Sequence, residues 1–115
     1  MPGKSTIQAR IKKEERRLFE VFANIEPKRK KAVDGLLYRA AFLRISLEDL
    51  EIDINLNGTT EFFTQSATLP PYQRERPVCK TYSQFSTVYQ KITAQLTNML
   101  PKEDPPVELD EFEMF

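Results

Sequence analysis

The sequence predicts a mainly α fold of three helices with long heptad seams, and three observations carry that prediction. Val33, Leu36, Ala40, Leu43, Leu47, Leu50 and Ile54 alternate spacings of three and four through three heptads. Val78, Tyr82, Phe85, Tyr89, Ile92, Leu96 and Met99 repeat that pattern nearer the C-terminus. Near the N-terminus, Ile7, Ile11, Leu18, Val21, Phe22 and Ile25 recur at threes, fours and sevens, giving one apolar face. With 115 residues, 40% hydrophobic and 30% charged, the chain suits one small domain with a modest core.

The first helix is expected over 5–24 and stops at Ile25-Glu26-Pro27, because proline disfavours helix in the residue before it. Pro27 then suits the first turn of a second helix over 28–57, where its missing amide hydrogen costs little. Leu37, Tyr38, Phe42, Ile45 and Ile52 widen this helix's stripe beyond a two-stranded seam, which implies burial against more than one neighbour. The run SLED, Ser46 to Asp49, resembles a capping box, although one uninterrupted helix with Ser46 at its surface fits better. Gly58 is a natural C-terminal stop. An extended segment over 59–76 follows. Within it TTEFFTQ reads as a short strand that needs a partner, and ATLPPYQRERP reads as a connector that Pro70 and Pro71 keep extended. Pro77 opens a third helix over 77–100, ended by Leu100-Pro101. Residues 101–115 form an acidic, proline-interrupted tail expected to be disordered in isolation. The seams exceed what one antiparallel pair of helices buries, which points to a homo-oligomer.

The 17 cationic and 17 acidic residues cancel, but not locally. Residues 1–44 hold twelve Lys+Arg against five Asp+Glu, and residues 45–115 hold five against twelve. Such halves either pair with each other or leave a basic surface for a polyanion. Candidate phosphate contacts are Arg10, Lys12, Lys13, Arg16 and Arg17 on the first helix, and Lys28, Arg29, Lys30 and Lys31 at the junction, where a solvated turn is the competing reading.

The sequence contains no His, which removes the usual general base, the Ser-His and Cys-His nucleophile pairs and imidazole metal ligands. Glu48, Asp49, Glu51 and Asp53 are spread around a helix rather than clustered, and there is no phosphate-cradling GxxxxGK loop. The lone Cys79, near a helix start, is expected to be a partly buried, inert thiol. The expectation is therefore a protein that is not an enzyme, with no catalytic residues, metal or cofactor. It is also expected to be cytoplasmic, since no signal or membrane-spanning run is present. In the tail, Leu109, Phe112 and Phe115 alternate with acids as apolar anchors for a basic partner.

The runs AAFLRISLEDLEIDINLNG, TEFFTQS and RERPVCKTYSQFSTVYQKITAQLTNMLPKE resemble short small terminase subunits coded in tailed phages and prophages of Gram-positive bacteria. The similarity covers roughly residues 30 to 103, and LEDLEIDINLNG and QLTNMLPKE are its most distinctive pieces. What the resemblance implies is a homo-oligomeric ring that recognises phage DNA in the host cytoplasm and regulates the large terminase subunit, which holds the ATPase and nuclease. It implies DNA contacts on the basic N-terminal half. The helix-turn-helix found in many such proteins is missing here. An oligomeric structural or adaptor protein of phage or host, without DNA binding, is the alternative.

Overall fold

The computed structural model describes residues 4–101, and their side chains from Thr6 onward. Three helices and one hairpin follow in the order α1 (Lys4–Val21), α2 (Pro27–Asn57), β1 (Thr60–Phe63), β2 (Tyr72–Glu75) and α3 (Pro77–Asn98). Pro27 and Pro77 each sit in the first turn of their helices, where proline's fixed φ suits the helix and its absent amide goes unmissed. α2 is uninterrupted through Ser46.

α2 is the central element. Val33, Leu37, Ala40, Ala41, Leu43, Ile45 and Leu47 are buried around most of its circumference, because it is covered from two sides. α1 runs antiparallel to it, as the contacts of Arg10 with Glu48 and of Glu14 with Arg44 show. α3 also runs antiparallel, with Arg76 on Asp53 and Tyr82 on Glu51. Ile11, Leu18, Phe22 and Ile25 close the core from α1 and the turn after it, and Tyr89, Ile92 and Leu96 close it from α3. The heptad seams therefore pack on one another inside one chain, with Leu36, Tyr82, Phe85 and Met99 half-buried at their margins. Tyr38, Phe42 and Ile52, expected to widen the buried stripe, are instead exposed.

The connector reading of residues 67–77 needs correction, since β2 lies within it. β2 pairs antiparallel with β1 in the register Thr60↔Glu75 to Phe63↔Tyr72. Pro70 and Pro71 lie in the loop just before β2, so the missing amides fall outside the ladder. Cross-strand contacts fix the pairing: Arg74 Nε donates to Glu61 Oε2 at 2.7 Å, and its guanidinium lies 3.7 Å over the Phe63 ring. Phe63 meets Tyr72 edge-on at 5.9 Å. Arg76 ties the hairpin to the helices by donating to Gly58 O at 2.8 Å and Asp53 Oδ1 at 2.9 Å. Gly58 sits at φ 78°, where a side chain would be strained. Cys79 is half-buried, its thiol 3.7 Å from Thr59 O. The described residues measure 64 × 29 × 23 Å. Among the described residues no helix is long and apolar enough to cross a membrane.

Candidate nucleic-acid interface

The nine cations singled out in the sequence divide into two sets. Arg10 reaches across to α2, with Nη1 donating to Asp49 Oδ1 at 2.9 Å and Nη2 to Glu48 Oε2 at 3.3 Å. The Asp49 hydrogen bond raises the Arg10 guanidinium above its ordinary range, although partial burial opposes the shift. Arg17 grips Glu14 with two donors, Nε at 2.8 Å and Nη2 at 2.7 Å. Glu14 is buried, its side chain only 10% exposed, and Arg44 Nε approaches it at 3.7 Å from α2. Arg44 also lies 3.7 Å from Glu48. Burial pushes the Tyr89 hydroxyl up, and the neighbouring Arg44 guanidinium opposes that shift. Arg10 and Arg17 thus belong to a network that holds α1 on α2 beside α3. Their candidacy as phosphate contacts is weaker for it, because a guanidinium already held in a bidentate pair has fewer donors left to offer.

Lys12, Lys13, Arg16, Lys28, Arg29, Lys30 and Lys31 are all exposed. Arg29 has a single loose ion pair with Glu26 at 3.9 Å, between two well-exposed side chains. Among the described residues the other six form no ion pair. Lys28 to Lys31 fall in the first turns of α2, where consecutive side chains are about 100° apart, so the four surround the helix end. That helix start has no acid in its first turn, and Glu26 makes no side-chain cap hydrogen bond. Positive side chains there repel the positive end of the helix dipole, at about 0.3–1 kcal/mol each at low ionic strength. The concentration of charge is therefore not explained by helix stability.

α1 lies antiparallel with Glu14 level with Arg44, so Lys12 and Arg16 stand level with the middle of α2. From there to Lys28 is about 21–27 Å at 1.5 Å per residue, roughly the rise of six to eight base pairs. An open groove of about 550 Å³ beside α1 is lined by Arg10, Lys13, Arg16 and Arg17 together with Glu14 and Glu48. The tail anchors Leu109, Phe112 and Phe115 lie outside the described residues.

Sequence reasoning missed the role of Arg44 and Arg76. It also missed the aromatic surface of the hairpin, where Phe62 is 75% exposed on the face opposite Phe63. Among the described residues no group of His, Cys, Asp and Glu could hold a metal ion. In comparisons with protein-family models, curated proteins and solved structures, nothing matches this chain.

Proposed function

We propose that this chain is a nonenzymatic DNA-binding protein of viral genome packaging, a small terminase subunit acting as a homo-oligomer in the host cytoplasm. One observation carries the reading: Lys12, Lys13, Arg16, Lys28, Lys30 and Lys31 face solvent without an ion-pair partner among the described residues, over a length that suits a duplex backbone. Contacts of this kind release condensed counterions and give affinity on any sequence. The terminase resemblance of residues 30 to 103 supplies the biological setting. In that setting the large terminase subunit is the partner of Leu109, Phe112 and Phe115.

The test is fluorescence anisotropy of a labelled duplex at several salt concentrations. Replacing Lys28, Arg29, Lys30 and Lys31 by Gln should lower the salt slope by up to about 3.6, at about 0.9 for each phosphate no longer neutralised. Replacing Lys12, Lys13 and Arg16 should lower it by up to about 2.7 on the same basis. Slopes that match the unchanged chain in both variants would refute DNA binding by this surface.

The exposed apolar side chains at the hairpin end, Ile52, Leu56 and Phe62, favour a second reading as an assembly adaptor. Both readings self-associate, so retention on a DNA column at varied salt separates the two. An adaptor would self-associate through that end and show no salt-dependent retention on DNA.

A further inference from the structure

The body and the tail have opposite charge. Residues 103–115 hold six acids, Glu103, Asp104, Glu108, Asp110, Glu111 and Glu113, and no cation. Without them, 17 cationic residues face 11 acidic ones. The fold decides where that acidic segment leaves the body. Arg76 on Asp53 and Tyr82 on Glu51 set the antiparallel register of α3 on α2. Carried to the end of α3, that register puts Leu100 and Pro101 level with residues 28–33 of α2. The acidic segment therefore starts beside the helix end that Lys28, Arg29, Lys30 and Lys31 surround.

We propose that the C-terminal segment docks in cis on this cationic end, as an acidic competitor that nucleic acid must displace. In its consequence for DNA, the proposal rests on the nucleic-acid reading above. The acids neutralise the four cations, and Phe112, Met114 and Phe115 supply apolar contact. Exposed rings stand close by. Tyr38 and Phe42 are one turn apart on α2, and Phe19 on α1 is level with them by the Glu14–Arg44 register; all three are more than 40% exposed. From residue 31 to Tyr38 and Phe42 is about 10–17 Å along the helix. An extended chain from Pro101 reaches about 26 Å by Leu109 and about 46 Å by Phe115, so the anchors span the distance even along a curved path. Tethering makes the encounter intramolecular, so weak individual contacts suffice for substantial occupancy. Salt should release the segment, because exposed charges are screened at physiological ionic strength.

Two measurements test this. In the first, duplex affinity is compared at about 50 mM salt for the full chain, a chain ending at Lys102, and full chains carrying either F112S with F115S or Gln and Asn at all six acids. Removing or neutralising the tail should raise affinity about three- to tenfold, the factor by which an occluded fraction lowers apparent affinity. The gain should shrink toward unity at high salt. The F112S/F115S chain should show an intermediate gain. If it matches the unchanged chain while truncation still helps, the acids act only by long-range repulsion and docking is overturned. In the second, a labelled peptide of residues 103–115 is titrated with the truncated chain and with its K28Q/R29Q/K30Q/K31Q variant. Binding that the variant loses by at least fivefold supports docking, whereas no binding, or equal binding to both, overturns it. The second measurement contains no DNA. Peptide binding with no duplex binding by any form would therefore sink the nucleic-acid reading and leave the docking intact. Equal duplex affinity with and without the tail would do the reverse. A tail effect that grows with protein concentration would assign the segment to a second copy and overturn docking in cis.

Discussion

Glu14 offers the sharpest test of the division between structural and outward cations, through its replacement by Gln. The substitution keeps size and one acceptor but removes the charge that Arg17 holds with two short hydrogen bonds and that Arg44 approaches at 3.7 Å. Breaking a fully buried ion pair by removing one partner costs about 3–5 kcal/mol, because the other charge is left uncompensated. The full figure does not apply here. The Arg17 side chain is 32% exposed and can turn toward water, and Arg44 keeps Glu48 at 3.7 Å. Discounted for that screening, the expected loss is about 2 kcal/mol, or about 8–12 °C in Tm for a domain of this size. Urea denaturation followed by circular dichroism would measure it, with the m-value confirming that the unfolding transition is unchanged. Arg17→Gln should cost about 1 kcal/mol, and the double variant should cost less than the two losses added, because they share one interaction. A Glu14→Gln change within about 0.5 kcal/mol of the unchanged chain would refute a structural role for the pair. It would also return Arg17 to the outward set.

Other perturbations probe other parts of the fold. Leu47 is fully buried at the centre of α2, and Leu47→Ala should cost about 2–5 kcal/mol by denaturant titration. Gly58→Ala meets open space but a φ of 78° with ψ of −171°, so backbone strain alone should cost about 1–3 kcal/mol, localised to the hairpin by hydrogen exchange. Arg76→Gln removes two hydrogen bonds at the hairpin's base, and amide protection in β1 and β2 should fall with little change in the helices. Burial raises the Tyr89 hydroxyl, so the stability tied to its neutral form is complete below the unfolded tyrosine value of about 10 and is lost as pH climbs through the higher folded value. Tyr89→Phe should flatten that alkaline decline in thermal melts.

The helices were legible because their signals are local. A stripe spaced at threes and fours, a proline at each helix start and Gly58 at the end of α2 all act within a few residues. The end of α1 at Val21 rather than Asn24 was less visible, since Phe22 and Ile25 continue the apolar spacing into the turn and are buried there. β2 was harder still. YQRE contains no alternating apolar pattern, and what makes it a strand is its partner: Arg74 must meet Glu61 and Phe63, and Tyr72 must meet Phe63. Such cross-strand pairs have no fixed spacing in sequence. The wide apolar stripe of α2 did imply two neighbours, and α1 and α3 are those neighbours. The same pattern could not distinguish the covered Ile45 from the open Phe42, since that depends on where each neighbouring helix ends its coverage.

The opposed charges of the two halves left two readings open, and the fold pairs some of the cations with acids and leaves others exposed. Among the described residues every ion pair employs arginine: Arg10, Arg17, Arg29, Arg44, Arg74 and Arg76. No lysine among them forms one. A guanidinium is planar, weakly hydrated and forked, so it can satisfy a carboxylate or an aromatic face at a packed interface. An ammonium group is a compact, strongly hydrated point charge that loses more on leaving water. Arginine is thus the cation used for pairing, although Arg16 is exposed and forms no ion pair among the described residues, and the clustered lysines stay outward. By that distinction Lys28, Lys30 and Lys31 separate from Arg10 and Arg17, whereas Arg16 and Arg29 are exposed through their positions. One experiment tests the sorting itself. Arg10→Lys and Arg17→Lys preserve every charge but not the fork, so they should lower stability by about 1 kcal/mol each while leaving the salt slope on DNA unchanged. Lys28→Arg and Lys30→Arg should leave both stability and slope nearly as they were. If instead the α1 lysine variants retain full stability, geometry is not what holds those cations inward. The charge alone would then be sufficient, and the distinction between the two sets would rest on position rather than on the identity of the side chain.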